Sequence, residues 1–217
     1  MTTASRATVA LAAAALVLTS CTRLAESAQP VPGPDLLAAA KIGELKCTPV
    51  DAPLITVPRV DADEPTIRIP QPPGWERVEG RDTDLLRYTM SNKSLQNGNF
   101  IPTIVIALES VADEMTADEV FEAQRKSIAG LGVPEDAMKI DNVEICGLPA
   151  QIVNYQIPQL SVVQPHPGTA LFVAYRSDLR TYCAGLTVQT TAPGNMTYKR
   201  DAETMVSGFQ VLPVKRP

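Results

Sequence analysis

One histidine serves the whole chain of 217 residues, so every Ser–His or Cys–His nucleophile pair would have to use His166. It lies in Gln164-Pro-His-Pro-Gly168, a proline-locked loop between two expected strands. A histidine there reads as an exposed turn residue rather than as a base. No Gly-x-Ser-x-Gly elbow, phosphate-binding loop or dinucleotide fingerprint occurs. Cys-x-x-Cys is also missing, which sets aside zinc and thioredoxin-type chemistry. Asp61-Ala-Asp63-Glu64 lacks the spacing of a calcium loop and reads as a solvated acidic bend. Asp113, Glu114, Asp118 and Glu119 are explained by favourable charge at a helix N-terminus. The chain is therefore expected to be no enzyme, with no cofactor and no metal. Basic stripes are lacking too. The formal net charge of −5 argues against nucleic acid and against electrostatic docking on anionic lipid.

Long apolar runs are equally scarce. Ile104–Leu108 is far too short to span a bilayer, and the stretch Val9–Leu18 is about ten residues against the roughly 18 required. That second run follows Arg6 and precedes small residues, the pattern of a secretory signal peptide over residues 1–20. It closes on Leu18-Thr-Ser-Cys21, which resembles a bacterial lipobox. Cleavage after Ser20 would make Cys21 the mature N-terminus, diacylated on its thiol. Two acyl chains hold a protein on a membrane at about 0.8 kcal/mol per buried methylene, where one is marginal. The expected location is the cell envelope, outside the cytoplasm.

With Cys21 carrying lipid, Cys47, Cys146 and Cys183 remain. In an oxidising compartment three cysteines make one disulfide and leave one thiol. A bridge using Cys146 is favoured, with either Cys47 or Cys183 as partner. Closing a loop from the N-terminal arm would contribute about 4 kcal/mol in the chain-entropy model.

Proline is abundant, at 19 residues, and marks the organisation. Residues 21–46 hold the lipidated cysteine, a Pro30-Val-Pro-Gly-Pro34 tether and a short helical run at Leu36–Leu45. Residues 47–217 form one domain. Strands are expected at Thr66–Pro70, Leu85–Met90, Phe100–Leu108, Lys139–Ile145, Ala150–Ile157, Thr169–Tyr175 and Tyr182–Thr190. Thr116 and Glu119 form a capping box for a helix that buries Val120, Phe121, Gln124, Ile128 and Leu131 and stops at Gly130 and Gly132. A last helix over Asn195–Ser207 buries Ala202, Met205 and Val206. This order implies an α+β single domain, an antiparallel sheet with helices packed on it.

Cys47-Thr-Pro-Val-Asp-Ala-Pro-Leu54, Glu64-Pro-Thr-Ile-Arg-Ile-Pro-Gln-Pro-Pro-Gly-Trp-Glu-Arg77 and Cys146-Gly-Leu-Pro-Ala150 resemble the LpqN/LpqT family of mycobacterial lipoproteins. The resemblance runs over roughly Pro65–Val211 plus the lipobox. Its most specific stretch is Pro-Pro-Gly-Trp. It implies a PsbP-like α/β sandwich and a cell-envelope lipoprotein without established enzymatic activity, linked to envelope lipid assembly and host contacts. No catalytic set is carried over.

Binding candidates are few. Trp75, the one tryptophan, is expected to lie flat over the sheet edge, its indole nitrogen finding a carbonyl. Asn92 and Asn97 sit in the polar loop Ser91–Asn99, and His166 in the similar loop Ser161–Gly168, expected to sit beside it. The expected function is a lipid-anchored, non-enzymatic protein presenting a binding surface to envelope components or a protein partner. The alternative is a carrier of an apolar envelope lipid in a cavity between sheet and helices.

Overall fold

The computed structural model describes residues 46–111, 114–159, 163–178 and 180–214. The expected lipobox at Cys21, the expected tether and the expected helical run at Leu36–Leu45 lie outside the described residues. The chain opens with strands β1 (Leu54–Thr56), β2 (Thr66–Pro70), β3 (Glu76–Arg77), β4 (Leu86–Ser91) and β5 (Thr103–Val111). Helix α1 (Ala117–Ala129) follows, then β6 (Lys139–Ile145), β7 (Leu148–Ile157), β8 (His166–Arg176) and β9 (Thr181–Gln189). Helix α2 (Met196–Ser207) and β10 (Gln210–Leu212) complete the described order.

The α+β class holds, but the strands form two sheets where one was expected. Seven lie in the order β3-β4-β5-β9-β8-β7-β6, and three in the order β1-β2-β10. All pairings are antiparallel. The small sheet joins segments far apart in sequence, with Val211 opposite Ile67. No local turn signal announces such a pairing.

Period-two alternation sorts the side chains of the large sheet onto two faces. On β8, Leu171, Val173 and Tyr175 enter the main core, while Ala170, Phe172 and Ala174 face the other way. The main core continues into Ile67, Ile69, Trp75, Met205, Phe209 and Val211, from the small sheet, its connections and α2. The second face is covered by Val120, Phe121 and Ile128 of α1. The result is three layers: α1, the seven-stranded sheet, and a mixed layer of the small sheet with α2.

Local chemistry sets the helix ends. Thr116 accepts from the Glu119 amide, and the Glu119 carboxylate accepts from the Thr116 amide, so the capping box is complete. Asn195 caps α2 by accepting from the amides of Thr197 and Tyr198. At the other end of α2, a Cβ on Gly208 would stand 2.6 Å from Pro70 Cγ and 2.7 Å from Val50. Only glycine lets the end of α2 press this closely on β2 and the N-terminal arm.

The β6–β7 hairpin turns on Cys146 and Gly147, both at positive φ (53° and 79°), between the paired residues Ile145 and Leu148. A two-residue turn of this kind matches the right-handed twist of its strands. It carries Cys146 to Cys47, and the two are joined by a disulfide across a sequence separation of 99. Cys183 is buried on the α1 face of β9, whereas Cys146 belongs to the main core. The sheet itself stands between those two sulfurs. That is why Cys47, and not Cys183, is the partner.

Candidate functional site

Helix α2 lies against β2 and leaves space between itself and the outer strands of the large sheet. That space is a groove of about 680 Å³, inside the roughly 300–1,000 Å³ usual for ligand pockets. Val143, Ile145, Ile152 and Val188 from the sheet and Tyr198, Ala202 and Val206 from α2 line it. Residues 198, 202 and 206 recur every four positions, which places them on one face of the helix. The charged residues Glu144, Lys199 and Glu203 are exposed and form the rim. Thr48, next to the disulfide, and Ser207 close one end. Asn154 and Thr169 stand opposite each other on β7 and β8, with Val188 beside them on β9, and line the other end. There the Thr169 hydroxyl donates to Asn154 Oδ1 at 2.7 Å.

The binding candidates read from sequence lie elsewhere, and three of the four are buried. Trp75 is only 2% exposed, and its Nε1–H donates to Asp201 Oδ2 at 3.0 Å. The expected carbonyl acceptor is a carboxylate, and the expected edge position is a core position. The reason is tertiary, because α2 brings Asp201 over the indole from 126 residues away. Asn92 is buried as well, accepting from the Ser94 amide and hydroxyl. Its amide lies 3.0 Å from where a Cβ on Gly74 would be, so Asn92 and the Trp75 turn are one structural unit.

His166 is not an exposed turn residue. It is 1% exposed and opens β8. Its Nδ1 lies 2.8 Å from the Gln164 carbonyl oxygen, its Nε2 3.1 Å from Gln189 Oε1, and its ring 4.8 Å from that of Phe100. Pairing with Ile157 extends β8 back to residue 166 and carries the histidine inside. Asn97 alone is exposed. Its amide donates to the carbonyl and hydroxyl oxygens of Thr191, and its backbone exchanges hydrogen bonds with Phe100. The Phe100–His166 contact brings the two polar loops together, but as packing rather than as an open site.

The acidic bend is also not fully solvated. Glu64 is buried and forms an ion pair with Arg87, itself buried, while Glu64 Oε2 accepts from the Val60 amide at 2.9 Å. Arg87 Nε has no partner within the described residues. Glu114 pairs with Arg176. Among the described residues there is no group of three potential metal ligands, and no helix is long and apolar enough to cross a membrane. Burial drives two phenols upward: Tyr155 to about 12, and Tyr198 well above the ordinary tyrosine value.

No family model matches the chain, and no curated protein does. Solved structures do. LpqN of Mycobacterium tuberculosis, described as involved in cell envelope biogenesis, matches with a TM-score of 0.59 at 16% identity. The match covers 74% of this chain and 91% of that one. The chain shares the LpqN fold. The likeness to LpqN stands at the level of fold, and the Pro-Pro-Gly-Trp motif has no family match beside it. The Ran-binding protein Mog1p of Saccharomyces cerevisiae matches with a TM-score of 0.48 at 13% identity, over 75% of this chain and 97% of that one.

Sequence reasoning named Ala202 and Val206 as core and did not single out Tyr198 or the β6–β7 wall. The four-residue repeat was the available signal. It gives a helix face, but not the gap in front of it.

Proposed function

We propose that this protein is a lipid-anchored, non-enzymatic lipoprotein of the cell envelope, whose binding surface is the groove between α2 and the seven-stranded sheet. The occupant is the apolar chain of an envelope lipid. The observation that carries this reading is an open, mostly apolar groove of about 680 Å³ between α2 and the seven-stranded sheet. Each methylene transferred from water into such a groove contributes about 0.8 kcal/mol, so even part of an alkyl chain binds measurably. The exposed charges on the rim suit a ligand whose polar end remains in water. The lipobox at Cys21 and the fold likeness to LpqN, described by its role in envelope biogenesis, support the envelope setting.

Native mass spectrometry of the protein extracted from cells tests the reading. Noncovalently bound lipid is expected at about one per chain by ordinary single-site stoichiometry, and Ala202→Trp is expected to expel it by filling the groove. Extraction of an empty protein in both forms would overturn the carrier reading. Crosslinking in intact cells that captures a protein across Ala202 and Val206 would favour a protein partner instead.

A further inference from the structure

Tyr198 stands out among the groove residues. It is about nine-tenths buried, with 9% of its surface exposed, and it lines the groove. Among the described residues no group hydrogen-bonds its hydroxyl, although buried phenols normally find a partner. The hydroxyl is not sealed in the core either, since among the described residues the one side-chain polar atom both sealed and unpartnered is Arg87 Nε. The hydroxyl therefore keeps some exposed surface, and the side chain that carries it lines the cavity. A phenol is neutral and proton-donating at physiological pH, and burial only moves its ionisation further upward.

The groove has a direction. Helix α2 begins just after β9 ends, so Tyr198 stands at the end marked by Val188, Thr169 and Asn154. Asn154 Oδ1 is occupied by the Thr169 hydroxyl, which leaves its NH₂ as a second donor. Val206 stands at the opposite end, near Gly208, Thr48 and the disulfide. From Tyr198 to Val206 is about 12 Å along the helix axis, at 1.5 Å per residue. Donors at one end and an apolar run toward the other describe a receptor for an amphiphile with an acceptor at its head.

We propose that Tyr198 selects the ligand: the groove takes a single fatty-acyl chain, its ester carbonyl accepting from the Tyr198 hydroxyl and its chain running along α2 toward Ile145. This rests on the groove reading given above and adds to it the chemical class of the ligand and its orientation. A plain alkane fills the same space but leaves the hydroxyl without a partner.

The test uses the full chain carrying Cys21→Ser, which has no acyl chains of its own to occupy the groove. Displacement of the fluorescent apolar probe N-phenyl-1-naphthylamine is measured with methyl decanoate and with dodecane, matched in chain length and differing in the acceptor. The ester is expected to bind roughly three- to tenfold more tightly, the range of one neutral hydrogen bond. Tyr198→Phe keeps the ring and is expected to abolish that preference, so that ester and alkane displace the probe equally well. An ester preference that survives Tyr198→Phe overturns the role of Tyr198 and leaves the groove standing. If neither compound displaces the probe, or Ala202→Trp leaves displacement unaltered, the groove reading falls and the Tyr198 proposal with it.

Discussion

The indole of Trp75 and the carboxylate of Asp201 tie the turn before β3 to α2, and both are almost fully buried. Asp201→Ala leaves the indole N–H without its acceptor and is expected to cost about 1–3 kcal/mol in urea unfolding. Glu64 and Arg87 are bound by a different rule. Removing one member leaves an uncompensated buried charge, so Glu64→Ala is expected to cost about 3–5 kcal/mol. The paired change Glu64→Met with Arg87→Met is expected to recover most of that loss, measured by the same unfolding experiment. Tyr155 supplies a pH signature. Its folded pKa of about 12 lies above the unfolded value near 10, so its contribution is complete below pH 10. That contribution is lost as pH rises from 10 through about 12. A native-state absorbance titration is expected to show a tyrosine fraction ionising late, with stability falling over the same interval. Neither Trp75 nor Asp201 carries this partnership in its own neighbourhood of sequence. A lone tryptophan after Pro-Pro-Gly reads as structural, but its acceptor is 126 residues away.

Among the elements, α1 was the most legible, because its start depends on residues a few positions apart. Thr116→Ala is expected to cost about 1 kcal/mol, the usual worth of a cap, with Thr116→Ser retaining most of it. Strands β2 and β6 match their expected bounds for a similar reason, since alternation and flanking turn residues are local. Strands β1, β3 and β10 are three, two and three residues long and exist through their partners, so no period could announce them. His166 shows the same override. Two flanking prolines argue for a loop, yet pairing with Ile157 draws the residue into β8 and buries it. In the β6–β7 hairpin, Cys146 accepts a positive φ that disfavours any residue but glycine. The bond to Cys47 makes that position consequential. Cys47→Ser is expected to lower stability by about 4–5 kcal/mol in the chain-entropy model for a loop this long, read as a shift in the denaturation midpoint.

At the scale of the whole molecule, the disulfide, Gly208 and the groove are one assembly. The arm beginning at Lys46 is fixed to the β6–β7 turn through Cys47, while Val50 packs where Gly208 ends α2. Whatever precedes the arm in the chain is therefore delivered to the Thr48 end of the groove. Cys21→Ala is expected to move the protein from the membrane fraction to the soluble fraction or to leave an unprocessed precursor. A processed variant that remains on the membrane like wild type would remove the anchor from the account.

The sequence by itself determined those features whose physics is short-range: the apolar alternation of the strands, the capped helix and the α+β class. Each depends on residues within a few positions of one another, which a linear reading can compare. The tertiary structure alone decided the second sheet, the choice of Cys47 over Cys183, the burial of Trp75 and His166, and the groove. Those depend on which distant surfaces meet and where they fail to close. Tyr198, Ala202 and Val206 share a helix face that one would assign to the core. Only the way α2 leans on β2 leaves that face lining an open space.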